Sequence, residues 1–86
     1  MRVLIPSPLR SYTGGRDEVD LGGSNLAELL TCLDQEFPGI RFRMIDEQDG
    51  IRKHIQIFVG EEKAKDLSAP LTPQSRVQIV CALSGG

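Results

Sequence analysis

Val77-Gln78-Ile79-Val80-Cys81-Ala82-Leu83-Ser84-Gly85-Gly86 is the stretch that decides the reading of this chain. Its first part alternates and is apolar, as a buried strand requires. Its last part has almost no side chain. Two terminal glycines lack Cβ atoms and can lie in a narrow channel where any side chain would clash. They also present a carboxylate that no side chain imitates at a chain end. An idle tail on an ordinary small domain is the plain alternative, so the segments upstream have to decide.

At 86 residues the chain is expected to form one domain, spanning residues 1–86 with a flexible tail at 84–86. A domain this small buries only about 60% of the surface its unfolded form exposes. Composition is that of a soluble globular protein, with 40% hydrophobic and 26% charged residues and a formal charge of −2. The basic residues are spread from Arg2 to Arg76 without forming a stripe, which argues against nucleic acid as the main partner. Apolar runs fall well short of the ~18 residues that span a bilayer. No charged-then-apolar leader opens the sequence, so a cytoplasmic protein without a membrane role is expected. Cys32 and Cys81 lack metal-ligand spacing, and two cysteines cannot supply the four ligands of a two-iron cluster. Cys81 reads as a small core residue and Cys32 as a residue on a helix flank. His54 has no companion ligand, and Asp46-Glu47-Gln48-Asp49-Gly50 reads as a solvated turn without the spacing of a calcium loop.

Arg2-Val3-Leu4-Ile5 predicts an opening strand, stopped by Pro6. Arg16 to Leu21 predicts an edge strand whose acidic positions discourage pairing with other chains. The helix signal is the clearest. Asn25 precedes Glu28 by three residues in a reciprocal capping arrangement. Leu26, Leu29, Leu30, Leu33 and Phe37 then form one apolar stripe, and Pro38-Gly39 ends it. A short helical turn is expected around Ile40 to Ile45, a strand over His54 to Val59, a loop over Ala64 to Ser75 and a final strand over Arg76 to Leu83. One helix must cover one face of a mixed sheet to bury its stripe. The fold class is therefore α+β. Alternation puts Val3, Ile5, Ile55, Ile57, Val59, Val77, Ile79 and Cys81 under the helix. It puts Leu4, Phe58 and Val80 on the other face with Gln56, Gln78 and Ala82, where one solvated face should be polar. That apolar trio predicts a docking patch.

Ile5-Pro6 with Leu9-Arg10 and Thr13-Gly14-Gly15, the helix start Asn25-Leu26-Ala27-Glu28-Leu29-Leu30, Phe37-Pro38-Gly39, Ile55-Gln56-Ile57-Phe58-Val59-Gly60 and Ala82-Leu83-Ser84-Gly85-Gly86 occur in order along the whole chain. In this the sequence resembles the ubiquitin-like β-grasp sulfur carriers, which include the molybdopterin-synthase small subunit and the thiazole-synthesis carrier. The resemblance implies a β-grasp, with a mixed sheet of four to five strands and one main helix. The Leu9-to-Gly15 segment and the long middle from Ile40 to His54 are most similar to the cysteine-biosynthesis carriers of actinobacteria. Ser11 stands where the molybdopterin type commonly has an acidic residue.

The resemblance implies that this chain is no enzyme but a protein co-substrate. It binds no cofactor itself. A ubiquitin-activating-type enzyme would use ATP to adenylate the Gly86 carboxylate, and sulfide would then convert it to a thiocarboxylate. Leu83, Ser84 and Gly85 would thread the partner's channel. Leu4, Phe58, Val80 and Ala82 would dock the body. The four residues beyond Ala82 reach at most ~14 Å when extended. For a cysteine-type carrier, the acceptor would be a pyridoxal-phosphate-dependent synthase, and a metalloprotease would release the product. Carriers for molybdopterin, thiamine or tRNA thiolation share this chemistry. A protein modifier forming isopeptide bonds through Gly86, or a plain interaction domain, are readings of a different class that the residues leave open.

Overall fold

The computed structural model describes residues 1–82. Five strands, β1 (Arg2–Leu4), β2 (Glu18–Asp20), β3 (Ile55–Val59), β4 (Glu62–Lys63) and β5 (Arg76–Cys81), form one sheet in the order β2-β1-β5-β3-β4. Helix α1 (Leu26–Glu36) and the short α2 (Ile40–Met44) lie between β2 and β3 in the sequence. β1 and β5 run parallel, pairing Val3 with Val77, and the other neighbours are antiparallel. This is the β-grasp arrangement. Three strands and both α-helices separate β1 in sequence from the β5 beside which it lies.

The helix forms where the stripe predicts. Leu26, Leu29, Leu30 and Leu33 are fully buried, and Phe37 packs partly against the same core. They meet Val3, Ile5, Val19, Ile55, Ile57, Val77 and Ile79 from the sheet. Val59 and Cys81 share that face but, at the ends of β3 and β5, are only partly buried.

The start of α1 is tied down more thoroughly than the sequence suggests. Asn25 Oδ1 accepts from Glu28 N at 2.9 Å, as expected. The Glu28 carboxylate, however, reaches back to Ser24 rather than to Asn25, accepting from its N–H at 2.8 Å and its hydroxyl at 2.7 Å. The 64–75 loop satisfies the remaining donors. Leu26 N donates to Ala69 O and Ala27 N to Leu67 O, both at 3.0 Å, while Leu71 N donates to Ser24 O at 2.9 Å. Helix N-termini leave backbone donors without intrahelical partners, so this loop is the clasp that holds α1 in place. Leu71 and Ala64 anchor it in the core.

Two features went unseen in the sequence. Ser7–Leu9 is a 3-10 turn that buries Leu9. β4 is only two residues long and pairs with Phe58 and Val59 after a turn at Gly60. The segment from Asp46 to Gly50 is the solvated turn expected, closed on Asp46 Oδ1, which accepts from Gln48 N and Gly50 N at 2.9 Å. Cys32 is half-buried, and both cysteines are free thiols.

Two stability predictions follow from the helix start. A Cβ at Gly23 would lie 2.8 Å from the backbone N of Leu29, and nothing flexible can give way. Gly23→Ala should therefore lower stability by ~1–3 kcal/mol in chemical denaturation, whereas Gly22→Ala, which meets no atom within 4 Å, should be near neutral. The Ser24 N–H, and then its hydroxyl, hold the Glu28 carboxyl below its usual 4.5. A carboxylate with a lowered folded-state pKa adds stability that is present above the unfolded value and is lost as pH falls through the folded one. Melting temperature followed from pH 7 to pH 3 should fall less steeply below 4.5 for Glu28→Gln than for the parent protein.

Candidate functional site

The site begins where β5 leaves the sheet. Ala82 N donates to His54 O at 2.7 Å, so the backbone pairing continues one residue past Cys81. Ala82 itself is exposed. Leu83, Ser84, Gly85 and Gly86, the predicted threading and acceptor residues, lie outside the described residues. What the structure fixes is the root from which they depart. It lies at the end of the central strand, held from the β3 side.

A cleft of about 410 Å³ opens beside this root, walled by Pro8, Ser11, Tyr12, Arg43, His54 and Cys81. The Leu9-to-Gly15 segment builds one wall. Arg10 Nε donates to Ile5 O at 3.1 Å, and the buried Thr13 hydroxyl donates to Arg16 O at 2.7 Å. Gly14 and Gly15 turn the chain at φ 66 and 87, a region costly for any residue with a Cβ. The motif that marks the resemblance is thus a scaffold for the cleft. Opposite it, Arg43 Nε donates to Tyr12 Oη at 2.6 Å, which raises the arginine's pKa still further. Desolvation pushes the Cys81 thiol up, so at neutral pH it stays protonated and is a poor nucleophile. Cys81 is therefore a partly open cleft residue rather than the core residue its alternation suggests.

The outer face of the sheet brings the predicted docking residues together. Gln78 on β5 stands between Leu4 on β1 and Phe58 on β3, and Val80 stands opposite Gln56. Leu4, Phe58 and Val80 are all half-buried, with Gln78 and Ala82 exposed. The trio therefore shares one face, with Gln78 between Leu4 and Phe58, and is less open than alternation alone implies. A second groove of about 500 Å³ runs from Leu4 and Val80 past Pro6 and Pro8 to Arg10. The sequence reading missed Phe42, a large apolar side chain that is 57% exposed on α2. The Arg52 guanidinium lies 4.7 Å from its ring, and Arg52 Nε donates to Phe42 O. The signal was present in Ile40 and Met44, which at i, i+4 spacing take the buried side and leave Phe42 on the other.

Among the described residues no helix is long and apolar enough to cross a membrane, and no cluster of three or more His, Cys, Asp or Glu side chains could hold a metal. The site is built for handling a backbone, with the sheet end as its base.

The comparisons with known proteins agree on one family. The ThiS family model matches residues 3–86. The sulfur carrier protein CysO of Mycobacterium tuberculosis is 29% identical over 89 residues, covering 98% of this chain and 96% of its own. Its crystal structure superposes with a TM-score of 0.88, at 26% identity and covering 95% and 98% of the two chains. The chain is also similar to a structure of the Amycolatopsis orientalis BexX/CysO complex, with a TM-score of 0.91 and 27% identity over 99% of this chain and 98% of that one. The small archaeal modifier protein 1 of Methanosarcina acetivorans shares the fold, with a TM-score of 0.81 at 20% identity, covering 99% and 94%. The chain belongs to the ThiS family: it is a ubiquitin-like sulfur carrier rather than an enzyme.

Proposed function

We propose that the sulfur is carried on the Gly86 carboxylate and is destined for cysteine synthesis. The observation that carries the first part is the position of the tail root. The central strand runs out at Ala82, pinned to His54, and only Leu83-Ser84-Gly85-Gly86 follow in the sequence. Likeness to the sulfur carriers supports a chain that brings a reactive end to a partner's chemistry.

The chemistry proceeds in two steps. A carboxylate is a poor acyl donor, so an activating enzyme of the ubiquitin-activating type attacks the α-phosphorus of ATP with the Gly86 carboxylate and releases pyrophosphate. Hydrosulfide then adds to the acyl-adenylate carbon. The C–O bond to AMP breaks, AMP departs, and a proton is lost to give the thiocarboxylate. Gly85 and Gly86 leave room for a narrow channel around the reacting carbon. The thiocarboxylate sulfur then attacks Cβ of an activated serine held by a pyridoxal-phosphate-dependent synthase, and the C–S bond forms as the serine oxygen leaves with its activating group. The acyl group passes from that sulfur to the neighbouring amine, and a metalloprotease adds water to the resulting amide, freeing cysteine and returning the Gly86 carboxylate. The cysteine destination is supported by likeness to the CysO carriers and by Ser11, which departs from the molybdopterin type. The Amycolatopsis relative's complex with BexX supports a globular protein partner that receives the body.

Leu4, Phe58 and Val80 would seat that body, with Ala82 at the edge of the contact and Leu83 and Ser84 leading into the channel. A half-buried apolar cluster beside the tail root suits this role, because a partner that takes in the tail must also cover this face.

Two measurements test the reading. Incubation with the cognate activating enzyme, ATP and sulfide should add about 16 Da to the intact mass, the difference between oxygen and sulfur, as a consequence of the proposed exchange at an acyl carbon. Deleting Gly86, or changing Gly85→Val, should abolish that gain while leaving the melting curve unchanged. Sulfur gain by the truncated protein would refute the assignment, and conjugates to lysines would identify a modifier instead. Phe58→Ser should weaken binding to the activating enzyme or synthase at least tenfold, since a central apolar anchor is commonly worth ~2 kcal/mol or more. The free protein should lose far less than in Leu30→Ala, a fully buried site where ~2–5 kcal/mol is typical. Unchanged affinity would move the docking surface elsewhere.

A further inference from the structure

The basic residues are scattered along the sequence but not in space. Arg52, Lys53, Lys63 and Lys65 converge on one groove of about 550 Å³, on the side of β3 that faces away from β5. No aspartate or glutamate lines it, and Ile51 and Ile55 contribute to its apolar floor. Among the described residues none of these four cations is in an ion pair; the basic partners in such pairs are the N-terminus, Arg2 and Arg41. Glu61 and Glu62 are exposed on the turn and on β4 but do not line the groove, and two further acids near it hold backbone or side-chain donors of their own. Asp66 accepts from the Ser68 N–H and hydroxyl, and Asp46 from Gln48 N and Gly50 N.

The backbone explains why there is a groove here. β4 pairs only with Phe58 and Val59, and Ala64 N extends the ladder by one bond to Ile57 O. At Ile55 and Gln56 no strand lies beside β3 on this side. Ile55 N already donates to Arg52 O, so among the described residues the edge offers a partner the Ile55 carbonyl and the Ile57 N–H, between positive walls. Lys63 stands directly opposite Phe58 in the β3–β4 register. Directly opposed residues share a face of a sheet, so this rim adjoins the apolar face that carries Phe58. Arg52 is held in place by Phe42, leaving its charge at the groove, while Lys53, Lys63 and Lys65 are exposed and free to reorient.

We propose that this groove holds an extended acidic segment of a protein partner, laid beside the open end of β3 with its carboxylates facing Lys53, Lys63 and Lys65. Charge complementarity of this kind sets specificity and speeds encounter. An added strand at an open sheet edge is a recurrent mode of peptide recognition. The apolar floor favours a peptide over nucleic acid. No aromatic side chain lines the groove to stack a base, as single-strand binders require. The proposal does not depend on the chemistry at Gly86.

The test uses the full chain, isotopically labelled, in two-dimensional amide NMR at low salt. The probe is a blocked ten-residue peptide alternating glutamate with valine, with a lysine–valine peptide as control. The acidic peptide should shift the amides of residues 51–57 and 63–65, and the control should not. Lys53→Glu combined with Lys63→Glu and Lys65→Glu should weaken binding at least tenfold, and raising the salt should do the same to the parent protein. The three lysines are exposed, so the variant should melt as the parent does; if it does not, the pair Lys63→Gln and Lys65→Gln takes its place. Absence of shifts at millimolar peptide, equal shifts from the control, or stronger shifts at these residues from an oligothymidylate would overturn the proposal. Self-association of the free protein through these residues would overturn it as well, by making a second copy the occupant.

Discussion

The parallel pairing of β1 with β5 is the constraint on which the rest of the structure depends. It places the last strand in the middle of the sheet, with β1 on one side and β3 on the other. Parallel neighbours cannot be joined by a tight turn and need a long crossover. Here the crossover includes α1, whose leucine stripe covers the sheet and forms the core. The same pairing determines where the tail departs, which side chains flank its root, and why Leu4, Val80 and Phe58 meet across three strands. The half-buried apolar face and the position of Ala82 are thus set by one backbone arrangement.

Much of this was legible in the residues. The α1 stripe, its asparagine cap, the stop at Pro38-Gly39 and the strands around Ile57 and Ile79 are strong local patterns, and the structure follows them. What was not legible depended on contacts distant in sequence. The two residues of β4 are too few to show a period, and they form a strand only because β3 offers an edge. The loop from Ala64 to Ser75 carries no regular pattern, yet its carbonyl groups complete the helix start. Cys81 is the last residue of β5 and lines the cleft, a position that alternation does not encode. The four cations of the edge groove lie at Arg52, Lys53, Lys63 and Lys65, far enough apart in sequence that only the turn at Gly60 brings them to one place.

The candidate site was legible to a different degree. The glycine end suggested activation, but the residues alone left the idle tail open. The resemblance spanning Ile5 to Gly86 decided between them. The structure adds a reason for one part of that resemblance: Leu9, Arg10, Thr13 and the two glycines after it make the turn that walls the tail root. Those residues support the chemistry by shaping the ground from which the tail leaves, and they contribute no reactive group themselves.

The central place of β5 also has a consequence for how the molecule is made. It comes last of the five strands in the order of synthesis. Until residues 76–81 leave the ribosome, the β1–β2 pair and the β3–β4 pair have nothing to join them, and the leucine stripe of α1 has only part of its floor. Long-range pairing of this sort is slow and leaves strand edges and apolar surface open meanwhile. A chain cut short before Arg76 therefore lacks the centre of its sheet and remains a substrate for proteases. Every molecule that does fold has already produced the strand that leads to Ala82. Folding thereby acts as a proofreading step, so that a body able to engage a partner also carries the strand from which the tail departs.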